Sequence, residues 1–377
     1  MSLRVLGIAA IVGGLGMASE AAAQAVAMAQ SATGAPPATL AQVQTPPPPG
    51  RGVEALTLSD WLAISIRVAA PLVVVILLLA DIVRPGSFQR KGLRDVKAYA
   101  WPVWLFGAFV VISAQIFGAQ VFAQIPDLWE KAASNQVPVQ SLPRSEIREE
   151  ALTQLGAVLF GVFAGGVMVF LLNRREHDEG MRFGPQDIPI GIVAFLLAFP
   201  LVSAAAELSV QVYESSSGEV VEQVAHPTLR LIQDHAGDPW AWVLIGCAVI
   251  GVAIIEELIY RAFIQTGLLR LFGSAWTAII LTAVIFGLVH RIGDTVPWHQ
   301  IPTLMVLGLA IGIAYERFKG VGVPITMHAA FNALQIALTL WVISPEPAPQ
   351  PASEAQAGGP PPATQPQPPA PAPARGP

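Results

Sequence analysis

Charge is the first thing this chain lacks. Asp, Glu, Lys and Arg make up 12% of its 377 residues, against 53% hydrophobic residues. Soluble domains carry about a quarter charged residues, and half that density cannot cover a water-facing surface of this size. A soluble globular fold is excluded. Cysteine is almost missing as well. Cys247 is the single one, so no internal disulfide can form, and within its apolar run the thiol reads as a small buried hydrophobe. Nor is there a basic footprint: the net charge is -5, which speaks against a nucleic-acid partner. Proline is sparse only in the middle. Six prolines lie between Pro36 and Pro49 and 13 between Pro345 and Pro377, which leaves 14 for the 295 residues between.

What is present is a series of long apolar runs. A spanning helix needs about 20 mostly apolar residues, and runs at 61–80, 101–123, 151–172, 188–210, 240–270, 275–292, 300–316 and 322–343 meet that need. They predict an all-α polytopic bundle of about eight transmembrane helices, with the fifth unusually long. Four spans fall in 61–210 and four in 240–343. Ahead of them, Arg4, the apolar Val5–Ala18 and the small residues Ala23–Ala25 read as a signal peptide over 1–25. Residues 26–60 form a Pro/Ala-rich linker and 344–377 a disordered Pro-rich tail, compositions that cannot bury a core. Lys and Arg then set the orientation. With the N-terminus outside, the inner segments hold 12 of them, from Arg84 and Arg94 to Arg317 and Lys319, and the outer segments hold seven. The expected place is the cytoplasmic (inner) cell membrane, crossed many times.

A charge in hydrocarbon costs at least about 2.5–3.5 kcal/mol on insertion scales, so each one is a functional candidate. Arg67 is expected to snorkel or to meet Asp60, and Glu207 to sit near the interface. The second half is denser. Glu256, Glu257 and Arg261 stand together in one apolar helix. Glu257 and Arg261 are four apart and can pair, whereas Glu256 is turned about 100° away and keeps no such partner. His290 ends the sixth run, four residues after Phe286. Around a turn near Gly273, Glu256 lies 17 residues before and His290 17 after, so an antiparallel hairpin puts both about 25 Å from the turn. A carboxylate and an imidazole are thereby expected side by side inside the membrane. His328 and Asn332 share a face of the eighth helix. Measured from Gly320, His328 is only about 12 Å deep; tilt or a protruding fifth helix is needed to bring it level. His177, His226, His235 and His299 read as solvated or interfacial.

Glu-Glu-x-x-x-Arg (256–261), Phe-x-x-x-His (286–290) and His-x-x-x-Asn (328–332), in that order on successive apolar helices, resemble the CPBP family. These are the CAAX-processing and bacteriocin-processing intramembrane endopeptidases, also called the abortive-infection family. The resemblance covers about 240–343. It departs in a small way at Ala262, where relatives often have glycine, which concerns backbone packing more than chemistry. It implies an all-α membrane endopeptidase in which Glu256 and His290 activate water, His328 and Asn332 hold the oxyanion, and Glu257, Arg261 and Phe286 support them.

The residues themselves are compatible with that chemistry. Amide hydrolysis needs a base for water and donors for the tetrahedral oxyanion. No Ser, Cys or Asp completes a nucleophile triad here, which favours direct attack by water. Two histidines and a glutamate are also the ligand set of a catalytic zinc, so zinc at Glu256, His290 and His328 stays open. A cofactor-free site is preferred, because Asn is a poor zinc ligand. The expected partners are the bilayer and a membrane-associated peptide or protein substrate. The alternatives are a non-catalytic scaffold or immunity-type protein of the same fold, and a proton-coupled transporter. A scaffold has no need of a free Glu256, and a transporter usually shows two related halves.

Overall fold

The computed structural model describes residues 58–84, 86–90, 94, 96, 98–128, 145–173, 179–219, 221, 227–292 and 296–342. The expected signal peptide, the tail and all but the last three residues of the linker lie outside this set. Among the described residues nine helices of eight residues or more carry the fold: α1 (Leu58–Leu79), α2 (Trp101–Ala123), α3 (Glu146–Leu172), α4 (Asp187–Ser217), α5 (Pro227–Asp234), α6 (Pro239–Phe272), α7 (Ala275–Val289), α8 (Ile301–Phe318) and α9 (Gly322–Val342). There is no strand among the described residues. Six of the helices, α2, α3, α4, α6, α8 and α9, are long and apolar enough to cross a membrane. Of the other two expected spans, α1 is 22 residues long and apolar over Ile64–Leu79, whereas α7, Ala275–Val289, is apolar but only 15 residues long. The protein is an all-α, multi-pass membrane protein; the described residues hold six candidate spans, α1 and the short α7 where about eight spans were expected.

Local chemistry sets the ends of the central hairpin. Asp238 caps α6 by accepting the backbone N–H of Trp240, and Pro239 follows at the first helical position, where its missing N–H costs nothing. Gly273, at φ +66°, closes the helix in the left-handed region that glycine enters without strain. Ser274 then caps α7 through the N–H of Thr277. Between these caps α6 is not uniform. Cys247–Gly251 and Leu258–Gln265 are π-helical, with α-helical turns around them. Such π segments are rare and gather at functional sites.

α6 is the axis of the bundle. All eight side chains of Leu258–Gln265 are buried. The main core joins them to Trp104 and Val111 of α2, Ile279 and Phe286 of α7, Leu307 and Ile311 of α8 and Met327 of α9. α2 and α3 meet most closely at Gly118 and Gly156, where a Cβ on either would stand 2.3 Å from the other's carbonyl oxygen. α5 lies over a smaller core of Ile147, Ile232, Leu244 and Ile336.

One sequence expectation changes and another gains a partner. The Arg67 Nε lies 2.8 Å from Glu207 Oε2, tying α1 to α4; the Asp60 side chain lies outside the described residues. A pairing across 140 residues has no local signature. Arg94, expected as a charge of an inner loop, is 3% exposed and sits at the centre of a polar cluster described below.

Candidate active site

The site begins with the order of residues on α6. Glu257 and Arg261, one turn apart, form a fully buried pair at 2.8 Å, Arg261 Nε to Glu257 Oε2. The other oxygen of Glu257 accepts from His328 Nδ1 at 2.9 Å. Arg261 thus holds Glu257, and Glu257 holds the ring of His328. Glu256 is one residue away and faces elsewhere. Its Oε2 lies 3.9 Å from His290 Nε2 and 3.8 Å from His328 Nε2, and that oxygen is buried with no hydrogen-bond partner among the described residues. The juxtaposition of Glu256 with His290 follows from their equal distance from Gly273.

His328 reaches the same level with help from a protruding α6. Gln265 Nε2 donates to Glu316 Oε1 at 3.0 Å. Gln265 stands eight residues before the Gly273 turn, and Glu316 four before Gly320. α6 therefore extends about 6 Å past the α8–α9 turn, which removes about half of the offset computed from the two turns.

Hydrogen bonds fix the imidazole tautomers. His290 Nδ1 lies 2.7 Å from the carbonyl of Phe286, and a carbonyl can only accept. His328 Nδ1 faces a carboxylate. In each neutral ring the proton is therefore on Nδ1, and the Nε2 lone pair points toward Glu256. The separations of 3.8–3.9 Å exceed a direct hydrogen bond but are spanned by one bridging water. The side chains of Glu256 and His290 are 21% and 23% exposed, whereas Glu257 and Arg261 are fully buried. The supporting pair is closed and the acid is reachable.

Phe286 packs these groups together. Its ring meets Tyr260 at 5.0 Å, His290 at 4.7 Å and His328 at 5.9 Å, with the Arg261 guanidinium 5.4 Å away. Asn332 comes in from α9, where its Nδ2 donates to the carbonyl of Ala248 at 2.9 Å, within the first π turn of α6. The amide carries a second N–H, which has no partner among the described residues. His235 and His299 stay apart from the site. His235 bonds the Leu231 carbonyl, and His299 lies against Tyr213. His177 and His226 lie outside the described residues.

A zinc ion fits this donor set poorly. Ligands at about 2.0–2.2 Å in a tetrahedral site stand about 3.4 Å apart, closer than the 3.8–3.9 Å seen around Glu256. No group of three His, Cys, Asp or Glu is arranged to hold a metal ion among the described residues. Glu256, His290 and His328 would have to close in by about 0.4 Å to become ligands.

A second polar cluster was not anticipated. Arg94 binds Glu316 through two contacts, Nε to Oε2 at 3.0 Å and Nη2 to Oε1 at 2.8 Å. Its Nη1 reaches the Glu179 carbonyl, Thr266 Oγ1 and the Tyr315 hydroxyl at 2.9–3.0 Å, and the guanidinium lies 4.1 Å over the Tyr315 ring. Gln265 adds bonds to Glu316 and to the Gly312 carbonyl. An acid near a span end was the only available signal for Glu316, and its partner is 222 residues away.

Residues 238–334 match the family described as Rce1-like, type II CAAX prenyl endopeptidase Rce1-like. The match is one of similarity over that segment and is consistent with the CPBP resemblance. It runs from the start of α6 into α9, covers about a quarter of the chain and contains every residue of the three motifs. No curated protein and no solved structure matches the chain.

Proposed function

We propose that the protein is an intramembrane endopeptidase that hydrolyses a peptide bond of a membrane-associated substrate with water activated by Glu256 and His290. One observation carries the reading: a buried carboxylate oxygen without a partner, set between two imidazole lone pairs at one-water distance. A water there donates one proton toward Glu256 Oε2 and the other toward His290 Nε2. Its oxygen attacks the scissile carbonyl carbon, and Glu256 takes the proton. The tetrahedral oxyanion is held by the second N–H of Asn332, and by His328 Nε2 when that ring is doubly protonated, since its Nδ1–H is committed to Glu257. Glu256 then passes its proton to the amide nitrogen, the C–N bond breaks as the oxyanion re-forms a carbonyl, and a carboxylic acid and an amine leave, the acid's proton passing on to the amine.

The test compares membrane proteomes of cells carrying the wild type and E256Q by mass spectrometry of new chain termini. Termini that depend on the wild type are expected to vanish in E256Q, with equal amounts of folded protein. Their persistence overturns the reading. Chelation of the purified protein checks the metal-free form: cleavage of such a substrate is expected to survive it. Loss of cleavage that only zinc restores would make Glu256, His290 and His328 ligands instead.

A further inference from the structure

We infer that Arg94 is a positioning residue for the Glu256 centre, acting from outside the matched segment through Thr266 and the π-helical stretch of α6. The inference rests on the endopeptidase reading above, and its test separates the two.

The Arg94 guanidinium is built in rather than accommodated. Its side chain and that of Glu316 are 0% and 1% exposed. The backbone bends to admit it: Gly180 sits at φ +82°, and a Cβ there would stand 2.5 Å from Arg94 Nη1 and 2.6 Å from the Tyr315 hydroxyl. Arg94 thereby ties the segment before α2, the α3–α4 connection, α6 and α8 into one knot.

Thr266 is the link to the site. Its hydroxyl donates to the Arg261 carbonyl at 3.1 Å and receives Arg94 Nη1 at 3.0 Å. A helical threonine ordinarily bonds the carbonyl three or four residues back. Here the reach is five residues, the spacing of a π turn, at the residue where the π stretch ends. From the backbone of Arg261 the chain of contacts continues through its side chain to Glu257, from Glu257 to His328, and from His328 to within 3.8 Å of Glu256.

The linkage has a mechanical reason. A π stretch has poorer intrinsic geometry than an α-helix and persists where its surroundings over-determine it. Relaxing Leu258–Gln265 to α register by one residue would rotate one end against the other by about 100°. Gln265 and Thr266, held by Glu316 and Arg94, fix the far end. Glu257 and Arg261 at the near end are then presented to His328 and Phe286. Stability alone does not require this hub, because replacing a buried ion pair by apolar residues of similar volume is often neutral or stabilising.

The experiment uses the full chain in detergent and three variants: R94M/E316M, T266V and the conservative T266S. Four quantities are read: unfolding temperature, kcat and KM for the Glu256-dependent product, and the imidazole 15N resonances of His328. For R94M/E316M the unfolding temperature is expected to stay at or above that of the wild type. Its kcat should fall by up to about 10²-fold, the loss that a misplacement of about 1 Å brings, with KM little changed and the His328 resonances shifted. T266V should show the same pattern more weakly, and T266S should restore it. Wild-type kcat and unshifted His328 resonances in a stably folded R94M/E316M overturn the inference. If the double variant does not fold, T266V decides in the same way, since it leaves Arg94 paired with Glu316. Should E256Q already have left the products in place, the endopeptidase reading falls alone, and the His328 resonances still decide the positioning role.

Discussion

Two clusters of buried charge share one helix and are built on opposite plans. Around Arg94 the carboxylate of Glu316 has both oxygens bonded, and the guanidinium has acceptors at each of its three nitrogens. Around Glu256 the carboxylate keeps an oxygen with no partner, faced by lone pairs. An unsatisfied buried polar group costs about 1–3 kcal/mol, more when charged. The Arg94–Glu316 pair is complete, although Gln265 Oε1 beside it has no partner among the described residues; on the reading proposed above, Glu256 is left open for something not part of the chain. The contrast separates charge that holds the helices from charge that waits for a reactant.

The comparison can be broken at several points. The same change at the two acids should give opposite results. E256Q is expected to cost about 10²–10⁴-fold in product formation, the range for a general base, with the unfolding temperature unchanged. E316Q is expected to lower stability by about 3–5 kcal/mol, because it strands Arg94 as an uncompensated buried charge; denaturation in detergent reads this. A loss of stability in E256Q together with a stable E316Q would reverse the assignment of roles. Gly180→Ala probes the knot without touching a charge. Its strain at φ +82° and its contact with Arg94 should cost about 1–3 kcal/mol. Smallest of all, Arg67→Gln removes a partly exposed pair, worth at most about 1 kcal/mol, and should leave product formation as it was.

The legibility of the two clusters differs for the same reason. Glu256, Glu257 and Arg261 are within one and a half turns of each other, and His290 follows from counting residues around a single hairpin, so periodicity and symmetry about Gly273 suffice to bring them together. His328 and Asn332 share a face by their spacing, but their depth depends on how far α6 projects beyond the α8–α9 turn, which only the Gln265–Glu316 contact reveals. Arg94 could not be found this way. In the sequence it is one of several Lys and Arg between two apolar runs, and nothing nearby marks it as buried. The π stretches are equally silent, since a change from four- to five-residue bonding leaves the apolar pattern of α6 intact. The eight apolar segments were all recognisable; that α7 is short was not.

The short helix has a consequence for the lipid. The 15 residues of α7 rise about 22 Å, against about 30 Å of hydrocarbon, and the helix stops at His290. A segment that short is accommodated in a bilayer by local thinning, at a cost of fractions of a kcal/mol per ångström, and the backbone beyond Val289 needs water wherever it does not bond within the protein. On the endopeptidase reading proposed above, such thinning shortens the path by which water reaches Glu256.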